Sequence, residues 1–302
     1  MKFFLFINII YIFIMRINSN EGPLMYPEPF PGWEEGDCQS PQIQSPIDIP
    51  SLYEDSLIID NHAHARIKSI KYSLINSAGV KFDKSHKWTT NALDAGYIEV
   101  ELNKTMYKYK LNSFHFHLNS EHRIETKQYP MEVHFVHKNM DKNDKQNENL
   151  VIGILFDYKD DFHNKFLDDI KLSKEEKFQN VSLNNIINAD APFYYYKGSL
   201  TTTPCTENVN WIVFKDIKYF STNQFISFKK WIENSNIKYY GNGYGNARGP
   251  KRLSGRNIYV ENFDIESKSY FRYILIIVPI FTLLSYPLYI FYFHKNLNSI
   301  NN

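Results

Sequence analysis

Residues Ser113–His137 read SFHFHLNSEHRIETKQYPMEVHFVH, and the alternation in this stretch sets the expected architecture. His115 and His117 lie two residues apart, and residues i and i+2 of a β-strand point to the same face, so both imidazoles would project side by side. The segment Met131–His137 alternates in the same way. Antiparallel pairing of the two strands would bring His134 opposite the first pair, so that three imidazoles converge on one point. Three histidines with one open position form the pattern of a catalytic zinc site.

Carboxylates in the same stretch are placed to support such a site. Glu132 falls on the same strand face as His134 and can accept the second ring N–H of that histidine. Glu121 and His122 lie in the connecting segment, where a buried carboxylate would need a hydrogen-bond donor. We therefore expect Glu132 and His122 to surround the ligands without binding the metal themselves.

A donor for Glu121 is expected far downstream, in the segment Gly198–Trp211, which reads GSLTTTPCTENVNW. Either Thr201 or Thr202 can donate its hydroxyl proton to Glu121 and accept a hydrogen bond from a metal-bound hydroxide. The residues alone leave these two threonines as alternatives.

The motifs HFH, SEH, EVHFVH and GSLTT, in this order, resemble those of the α-class carbonic anhydrases. The resemblance covers about Trp33 to Tyr259. It implies one zinc ion per chain, held by His115, His117 and His134. It also implies reversible hydration of carbon dioxide to bicarbonate and a proton, through attack by zinc-bound hydroxide.

The same resemblance assigns roles to further residues. Thr201, held by Glu121, would orient the hydroxide, and the backbone carbonyl of Asn246 would orient His117. Ser45–Pro46 and Thr203–Pro204 would be cis. The residues implied to line the substrate pocket are Thr202, Leu200, Val136, Val151, Val209 and Trp211.

Composition predicts the fold class. Of the 302 residues 16% are aromatic, and these recur in short alternating runs that favour strands. We expect a mainly β (α+β) fold in a single domain over residues 21–265, with a large, mostly antiparallel twisted central sheet and a few short peripheral helices. Helices are expected at Asp161–Leu172 and Thr222–Asn234, the second with Ser221 or Thr222 as its N-cap.

The charge balance limits the partners. There are 34 Lys and Arg residues against 33 Asp and Glu residues, which offers no electrostatic basis for binding nucleic acid. A small or neutral substrate is expected.

An apolar run lies near each end of the chain. Residues 1–20 are predicted to be a signal peptide, because Phe3–Met15 is an apolar run of the right length after Lys2. Residues 273–293 carry no formal charge and are long enough to cross a bilayer as one transmembrane helix, with residues 294–302 as a short cytoplasmic tail. We therefore expect entry into the secretory pathway and a membrane-anchored, extracellular or luminal catalytic domain. A glycolipid-anchor signal near Ser267 and Ser269 is the alternative to this single-pass type I arrangement.

Two cysteines fit a secreted protein. Cys38 and Cys205 are the whole cysteine content, and an even pair in an oxidising compartment predicts a disulfide, which the family resemblance supports. The alternative is a pair of buried free thiols. The sequons at Asn103 and Asn180 predict glycosylation.

Two other functions are alternatives to carbon dioxide hydration. The chain would be a non-catalytic carbonic anhydrase-like surface binding or adhesion module if a zinc ligand were lost, but all three histidines are present. A zinc hydrolase of another class, with esterase activity, would carry its own motif, and no HExxH sequence occurs.

Overall fold

Strands build most of the described chain, as the alternating aromatic runs predict. The computed structural model describes residue 38 and residues 43–51, 56–59, 63–72, 80–82, 88–90, 96–169, 183, 186–233 and 247–262. The strands are β1 (Asp48–Ile49), β2 (Leu57–Ile58), β3 (Ala65–Lys71), β4 (Val80–Phe82), β5 (Trp88–Thr90), β6 (Tyr97–Leu102), β7 (Thr105–Leu118), β8 (Arg123–Ile124), β9 (Lys127–Gln128), β10 (Met131–Asn139), β11 (Asn149–Tyr158), β12 (Phe193–Ser199), β13 (Glu207–Phe214), β14 (Lys218–Phe220) and β15 (Ile258–Glu261).

One large sheet organises the fold, and its main path runs β2-β15-β12-β13-β11-β10-β7-β5-β4. Strand β14 pairs with β11, and β6 joins β3 to β7. Within the described residues the sheet has 12 strands, and most of its pairs are antiparallel. The parallel pairs of this sheet are β11 with β13, β11 with β14, and β15 with β2. The predicted fold class is therefore confirmed.

Strand β7 contains an irregularity that the alternation did not predict. Opposite β10, Val136 pairs with Ser113 and His137 pairs with Leu111, so Asn112 is the extra residue of β7 at this point. This β-bulge changes the parity of the side chains along β7. As a result Leu111 and Phe114, three residues apart, both face the main core.

The main core covers one face of the sheet. Because neighbours along a strand point to opposite faces, the core residues of each central strand alternate along it. Members of this core from β7, β10, β11, β12 and β13 are Phe114, Phe116, Val133, Phe135, Ile152, Ile154, Phe193, Tyr195, Ile212 and Phe214. The intervening residues of the same strands therefore face the opposite side, where the predicted site residues lie.

Two helices flank the sheet in the described part of the chain, α1 (Lys165–Asp169) and α2 (Thr222–Glu233). The prediction that the first helix begins at Asp161 is wrong. The Asn164 side chain accepts hydrogen bonds from the backbone N–H groups of Phe166 and Leu167, at 3.1 and 3.4 Å, and so caps the helix there. For α2, the Ser221 hydroxyl accepts the Gln224 N–H at 3.2 Å, which makes Ser221 the N-cap.

The terminal predictions fall outside the described residues. Residues 1–20, 273–293 and 294–302 are not among them, and no described helix has the length and apolar character needed to span a membrane. Asn180 also lies outside the described residues. Asn103 is exposed at the first position of the β6–β7 turn with φ 47°, followed by Lys104 with φ 67°.

Candidate metal centre and its supporting network

Three imidazoles converge on the face of the sheet opposite the main core. His115 and His117 project from β7, and His134 on β10 pairs directly with His115. Their ring centroids are 5.0 Å apart for His115 and His117, 5.4 Å for His115 and His134, and 4.6 Å for His117 and His134. One ring nitrogen from each lies within 4.8 Å of the other two. His117 and His134 are buried, whereas His115 is partly exposed.

Glu132 fixes the orientation of His134. The Nε2 atom of His134 lies 2.8 Å from Oε1 of Glu132, and Nδ1 of His122 lies 2.7 Å from the same oxygen. A carboxylate only accepts, so both ring nitrogens donate, and Nδ1 of His134 is left as the lone-pair nitrogen of its ring. Burial lowers the pKa of His134, which favours the neutral imidazole that a metal binds.

The other oxygen of Glu132 is also saturated. Its Oε2 atom accepts the backbone N–H groups of Glu121 at 2.8 Å and His122 at 2.9 Å. Burial opposes ionisation of this carboxyl, but the His122 and His134 imidazoles outweigh it and hold the pKa of Glu132 well below its usual range. Gly153 provides the space, since a Cβ atom at that position would lie 2.8 Å from Oε1 of Glu132.

The hydrogen-bond chain continues away from the histidines. Nε2 of His122 lies 2.7 Å from the Tyr196 hydroxyl, which lies 2.9 Å from Oγ of Ser45. Ser45 and Ser199 then exchange two hydrogen bonds, each backbone N–H donating to the hydroxyl of the other at 2.9 and 3.1 Å. Tyr196, Ser45 and Ser199 were not among the site residues predicted from the sequence. The available signal was that Tyr196 shares a strand face with Tyr194, away from the main core.

Glu121 lies at the centre of a second set of contacts. It is 1% exposed, and its Oε1 atom accepts the backbone N–H of Arg248 at 2.9 Å. Burial raises the pKa of Glu121 well above its usual value, while hydrogen bonding by the Thr201 hydroxyl and the Arg248 N–H acts in the opposite direction. Thr201 is buried and Thr202 is partly exposed. Of the two alternatives, Thr201 is therefore the threonine that interacts with Glu121.

Arg248 connects Glu121 to the N-terminal segment. Its Nη1 atom donates to Oε1 of Gln44 at 2.9 Å and to the Ser45 carbonyl at 2.8 Å, and its Nη2 atom donates to the Cys38 carbonyl at 3.0 Å. The guanidinium is buried with these acceptors around it. The backbone N–H of Arg248 donates to Glu121, and the side chain of the same residue is anchored beside Cys38. The N-terminal segment therefore helps to fix the position of Glu121.

Cys38 and Cys205 are joined, with an S–S distance of 2.13 Å, which confirms the predicted disulfide. The backbone N–H of Cys205 donates to the Thr202 carbonyl at 2.8 Å. The bridge therefore ties the N-terminal segment to the loop that carries both threonines. Ser45–Pro46 and Thr203–Pro204 are both cis.

The comparisons with known proteins agree with this geometry. The family model described as eukaryotic-type carbonic anhydrase matches residues 30–262. This chain belongs to the eukaryotic-type carbonic anhydrase family. A carbonic anhydrase of Dunaliella salina is 30% identical over 220 residues, covering 66% of this chain but only 37% of that protein. Alpha carbonic anhydrase 6 of Arabidopsis thaliana is 32% identical over 213 residues, covering 69% of this chain and 75% of its own length.

A solved structure has the same fold. The carbonic anhydrase of Chlamydomonas reinhardtii in complex with acetazolamide superposes with a TM-score of 0.60 and 25% identity. The superposition covers 80% of this chain and 98% of the other. The family assignment thus extends over nearly the whole of a relative's domain.

His115, His117 and His134 fit a zinc ion. Three imidazole nitrogens are donors that zinc accepts, and three protein ligands leave one of its four positions open. A second group, formed by His122, Glu132 and His134, also brings its ligand atoms within 4.8 Å. In that group Oε1 of Glu132 is already occupied by hydrogen bonds from both imidazoles. Of the two groups, His115, His117 and His134 therefore fit a metal better, with Glu132 and His122 positioned to support them.

The predicted apolar wall lies beside His134. Val136 pairs with Val151, and Val151 pairs with Trp211, so these side chains form a row across three strands. The Trp211 ring centroid is 4.8 Å from that of His134, and its Nε1 donates to the Ser199 carbonyl at 2.9 Å.

The remaining wall residues flank this row. Val209 lies two residues before Trp211 on β13 and is buried, and Leu200 follows β12 and is partly exposed. The Leu200 N–H donates to the Thr206 carbonyl at 2.9 Å. Asn246, assigned to orient His117, lies outside the described residues.

Proposed function

We propose that this chain catalyses the zinc-dependent, reversible hydration of carbon dioxide to bicarbonate and a proton. The observation that carries the proposal is the convergence of His115, His117 and His134 beside a buried Glu121 that interacts with Thr201. Zinc, when bound, supplies the Lewis acidity that lowers the pKa of water at the open position. Every other part of the chemistry falls to the residues of the chain.

Thr201 positions the attacking oxygen. Its hydroxyl donates to Glu121, so the hydroxyl oxygen is left as an acceptor for the proton of the attacking group. This direction of donation requires the carboxylate form of Glu121. The hydrogen bonds from the Thr201 hydroxyl and the Arg248 N–H favour that form and act against the effect of burial on the Glu121 pKa. The threonine thereby selects the lone pair that faces the substrate, which is a contribution from orientation.

The apolar row receives the substrate. Carbon dioxide has no hydrogen-bond donor, so the apolar surface formed by Val136, Val151 and Trp211 suits it. Val209 and Leu200 extend that surface, and the partly exposed Thr202 lies at its border. Water forms no hydrogen bonds with these apolar side chains. The wall therefore favours binding of carbon dioxide over water next to the attacking oxygen.

The test compares two reactions catalysed by the purified full-length protein, carbon dioxide hydration and hydrolysis of an activated ester. We expect fast hydration, slow ester hydrolysis, and loss of both in His115→Ala, His117→Ala and His134→Ala. Zinc-loaded protein that catalyses neither reaction would favour the non-catalytic binding module. Ester hydrolysis without carbon dioxide hydration would favour a different zinc hydrolase.

We further propose that the chain acts on the extracellular or luminal side of a membrane. Support comes from the apolar run Phe3–Met15 within residues 1–20, from the uncharged residues 273–293, and from the disulfide, since disulfides form in oxidising compartments. Carbonate extraction of membranes should leave the full-length protein in the pellet. Release by a phosphatidylinositol-specific phospholipase would instead identify a glycolipid anchor, and a soluble protein would contradict both. Glycosidase treatment followed by mass spectrometry tests whether Asn103 and Asn180 carry glycans.

A further inference from the structure

Lysine side chains form a row across four neighbouring strands of the sheet. Lys71 on β3 pairs with Tyr97 on β6. Lys110 on β7 pairs with Tyr97 on one side and with Lys138 of β10 on the other. Directly paired residues point to the same face of a sheet, and Lys138 follows the wall residue Val136 by two positions. The row therefore lies on the same face as the predicted metal site.

A further lysine joins this row through the ring of Tyr97. Nζ of Lys108 lies 3.5 Å from the centroid of that ring, and Nζ of Lys71 lies 5.6 Å from the same centroid. Hydrogen bonding by Lys108, and then by Lys71, lowers the pKa of Tyr97. The ring attracts both ammonium groups and holds them close together. We define the basic sheet face as Lys71, Tyr97, Lys108, Lys110 and Lys138.

Two lysines of this face are directly opposed like charges. Lys110 and Lys138 form a cross-strand pair, in which the Cβ atoms lie about 4.5–5.5 Å apart and like charges are destabilising. Oε1 of Glu148 lies 2.9 Å from Nζ of Lys138 and offsets part of the repulsion. An anion bound over the pair would offset the rest.

The carboxylates of β6 do not cancel the charge of the basic sheet face. Glu101 pairs with Nζ of Lys68 at 2.6 Å, so these two charges offset each other. Glu99 accepts a hydrogen bond from the Ser69 hydroxyl at 2.6 Å and lies near the lysines of the face. Of the two carboxylates, only Glu99 therefore counts against those lysines.

The loop between β10 and β11 adds no net charge beyond that of Glu148. It carries Asp141 and Asp144 together with Lys142 and Lys145, two charges of each sign. The four lysines of the basic sheet face are thus opposed by one carboxylate from β6 and one from this loop. The difference, four minus two, is an excess of two positive charges.

The shape and composition of this face favour a linear polyanion. Neighbouring strands lie about 4.8 Å apart, so Lys71 and Lys138, three strands apart, span about 14 Å in a line. Interfaces between proteins are depleted in lysine and have an apolar, aromatic core. Here the one ring of the face, that of Tyr97, has an ammonium group over it. A polyanion needs no apolar core, because neutralising its charges releases bound counterions.

We propose that the basic sheet face binds a sulfated polysaccharide along its row of lysines. Such polysaccharides belong to the secretory pathway and the cell surface, where the chain is proposed to act. The binding is independent of the carbon dioxide chemistry, because no residue of the face is a predicted metal ligand or a wall residue.

The test measures binding of a size-defined heparin oligosaccharide to the full-length protein by isothermal titration calorimetry. Between 50 and 200 mM salt the affinity should fall on the order of 10²-fold, as expected if about four charges are neutralised. Poly-glutamate and the unsulfated polysaccharide hyaluronan, titrated under the same conditions, should bind more weakly.

Matched variants identify the surface. The double variant Lys110→Gln, Lys138→Gln should bind the heparin oligosaccharide about tenfold more weakly, because two of the neutralising charges are gone. The control variant Lys229→Gln, Lys230→Gln removes the same charge from two exposed lysines of α2 and should keep the affinity. Thermal unfolding of both variants checks that the fold is retained.

Four results would overturn the proposal. Absence of binding at 50 mM salt would remove the site. An equal loss of affinity in the two variants would show that heparin responds to the overall charge of the protein and not to this face. Equally tight binding of poly-glutamate would assign the face to an acidic protein segment. Equally tight binding of hyaluronan would show that sulfate groups are not required.

Discussion

His134 and Glu132 are held together by one hydrogen bond of 2.8 Å, between Nε2 of the histidine and Oε1 of the carboxylate. Because Glu132 is saturated by two imidazoles and two backbone N–H groups, it keeps this acceptor position in a single geometry. The bond specifies which nitrogen of His134 is left for the metal. In the proposed zinc site the carboxylate would therefore contribute to metal binding without touching the metal.

Glu132→Gln should weaken zinc binding about 10–100-fold, the usual cost of removing a hydrogen-bond partner of a ligand. The amide is neutral and brings its own donors into a position that needs only an acceptor. Competition with a chelator at equilibrium measures the affinity. Glu148→Gln is the control, because Glu148 is an exposed carboxylate paired with Lys138. An unchanged affinity in Glu132→Gln would show that His134 is oriented by other groups.

Thr201→Ala should lower carbon dioxide hydration on the order of 10²-fold, as loss of a single preorganised partner does. Zinc content should stay the same, since Thr201 is not a ligand. Stopped-flow hydration and metal analysis of the same preparation test both parts. The control is Thr206→Ala, whose side chain is exposed on the same loop. Unchanged hydration in Thr201→Ala would indicate that Thr202, and not Thr201, orients the attacking oxygen.

Cys38→Ser with Cys205→Ser should lower the free energy of unfolding by about 2–5 kcal/mol, because the bridge closes a long loop. The cysteines are 167 residues apart in sequence. Denaturant titration gives the free energy, and alkylation of the unreduced, denatured protein counts the thiols. Two alkylated cysteines per chain before reduction would refute the bridge in the isolated protein.

The sequence predicted the convergence of the three histidines because it depends on local periodicity. Residues two apart on a strand share a face, which placed His115 beside His117, and antiparallel pairing then allowed only a nearby strand to supply His134. The series of hydrogen bonds from His122 through Tyr196 to Ser45 was not predictable in this way. Tyr196 and Ser45 are 151 residues apart, and their contact depends on how the N-terminal segment packs across the sheet.

The start of α1 shows a different limit. Apolar spacing predicted a helix from Asp161, but Phe162 is exposed and the helix begins after Asn164. A side chain that satisfies the first free N–H groups sets the boundary, and apolar spacing carries no information about it. The bulge at Asn112 was missed for a similar reason, since it interrupts the alternation used to find the strand.

His137 should make the protein less stable in mild acid. It is fully buried, with the Tyr72 hydroxyl 2.6 Å from Nε2 and the Leu150 carbonyl 3.2 Å from Nδ1. Burial lowers the pKa of His137 from 6.5 to about 4. Between these values the unfolded chain binds the proton and the folded chain does not, so stability falls as the pH drops from 6.5 to about 4, by about 3 kcal/mol in total.

Denaturant titrations at a series of pH values measure this dependence. His137→Gln should flatten the slope of stability against pH in that window, whereas His163→Gln, at an exposed histidine, should keep it. Tyr72→Phe retains the histidine and should retain most of the slope. A slope of equal size in His137→Gln and the unmodified protein would show that other groups cause the acid sensitivity.

The most direct test of the zinc-dependent carbon dioxide chemistry is reconstitution of the metal-free, full-length protein. Zinc is added stepwise while carbon dioxide hydration is followed by stopped flow. The account predicts that activity rises linearly and stops at about one zinc per chain, the capacity of a single three-histidine site. The variants His115→Ala, His117→Ala and His134→Ala should show no such rise. Activity that is independent of zinc, or that saturates normally in any of these variants, would contradict the account.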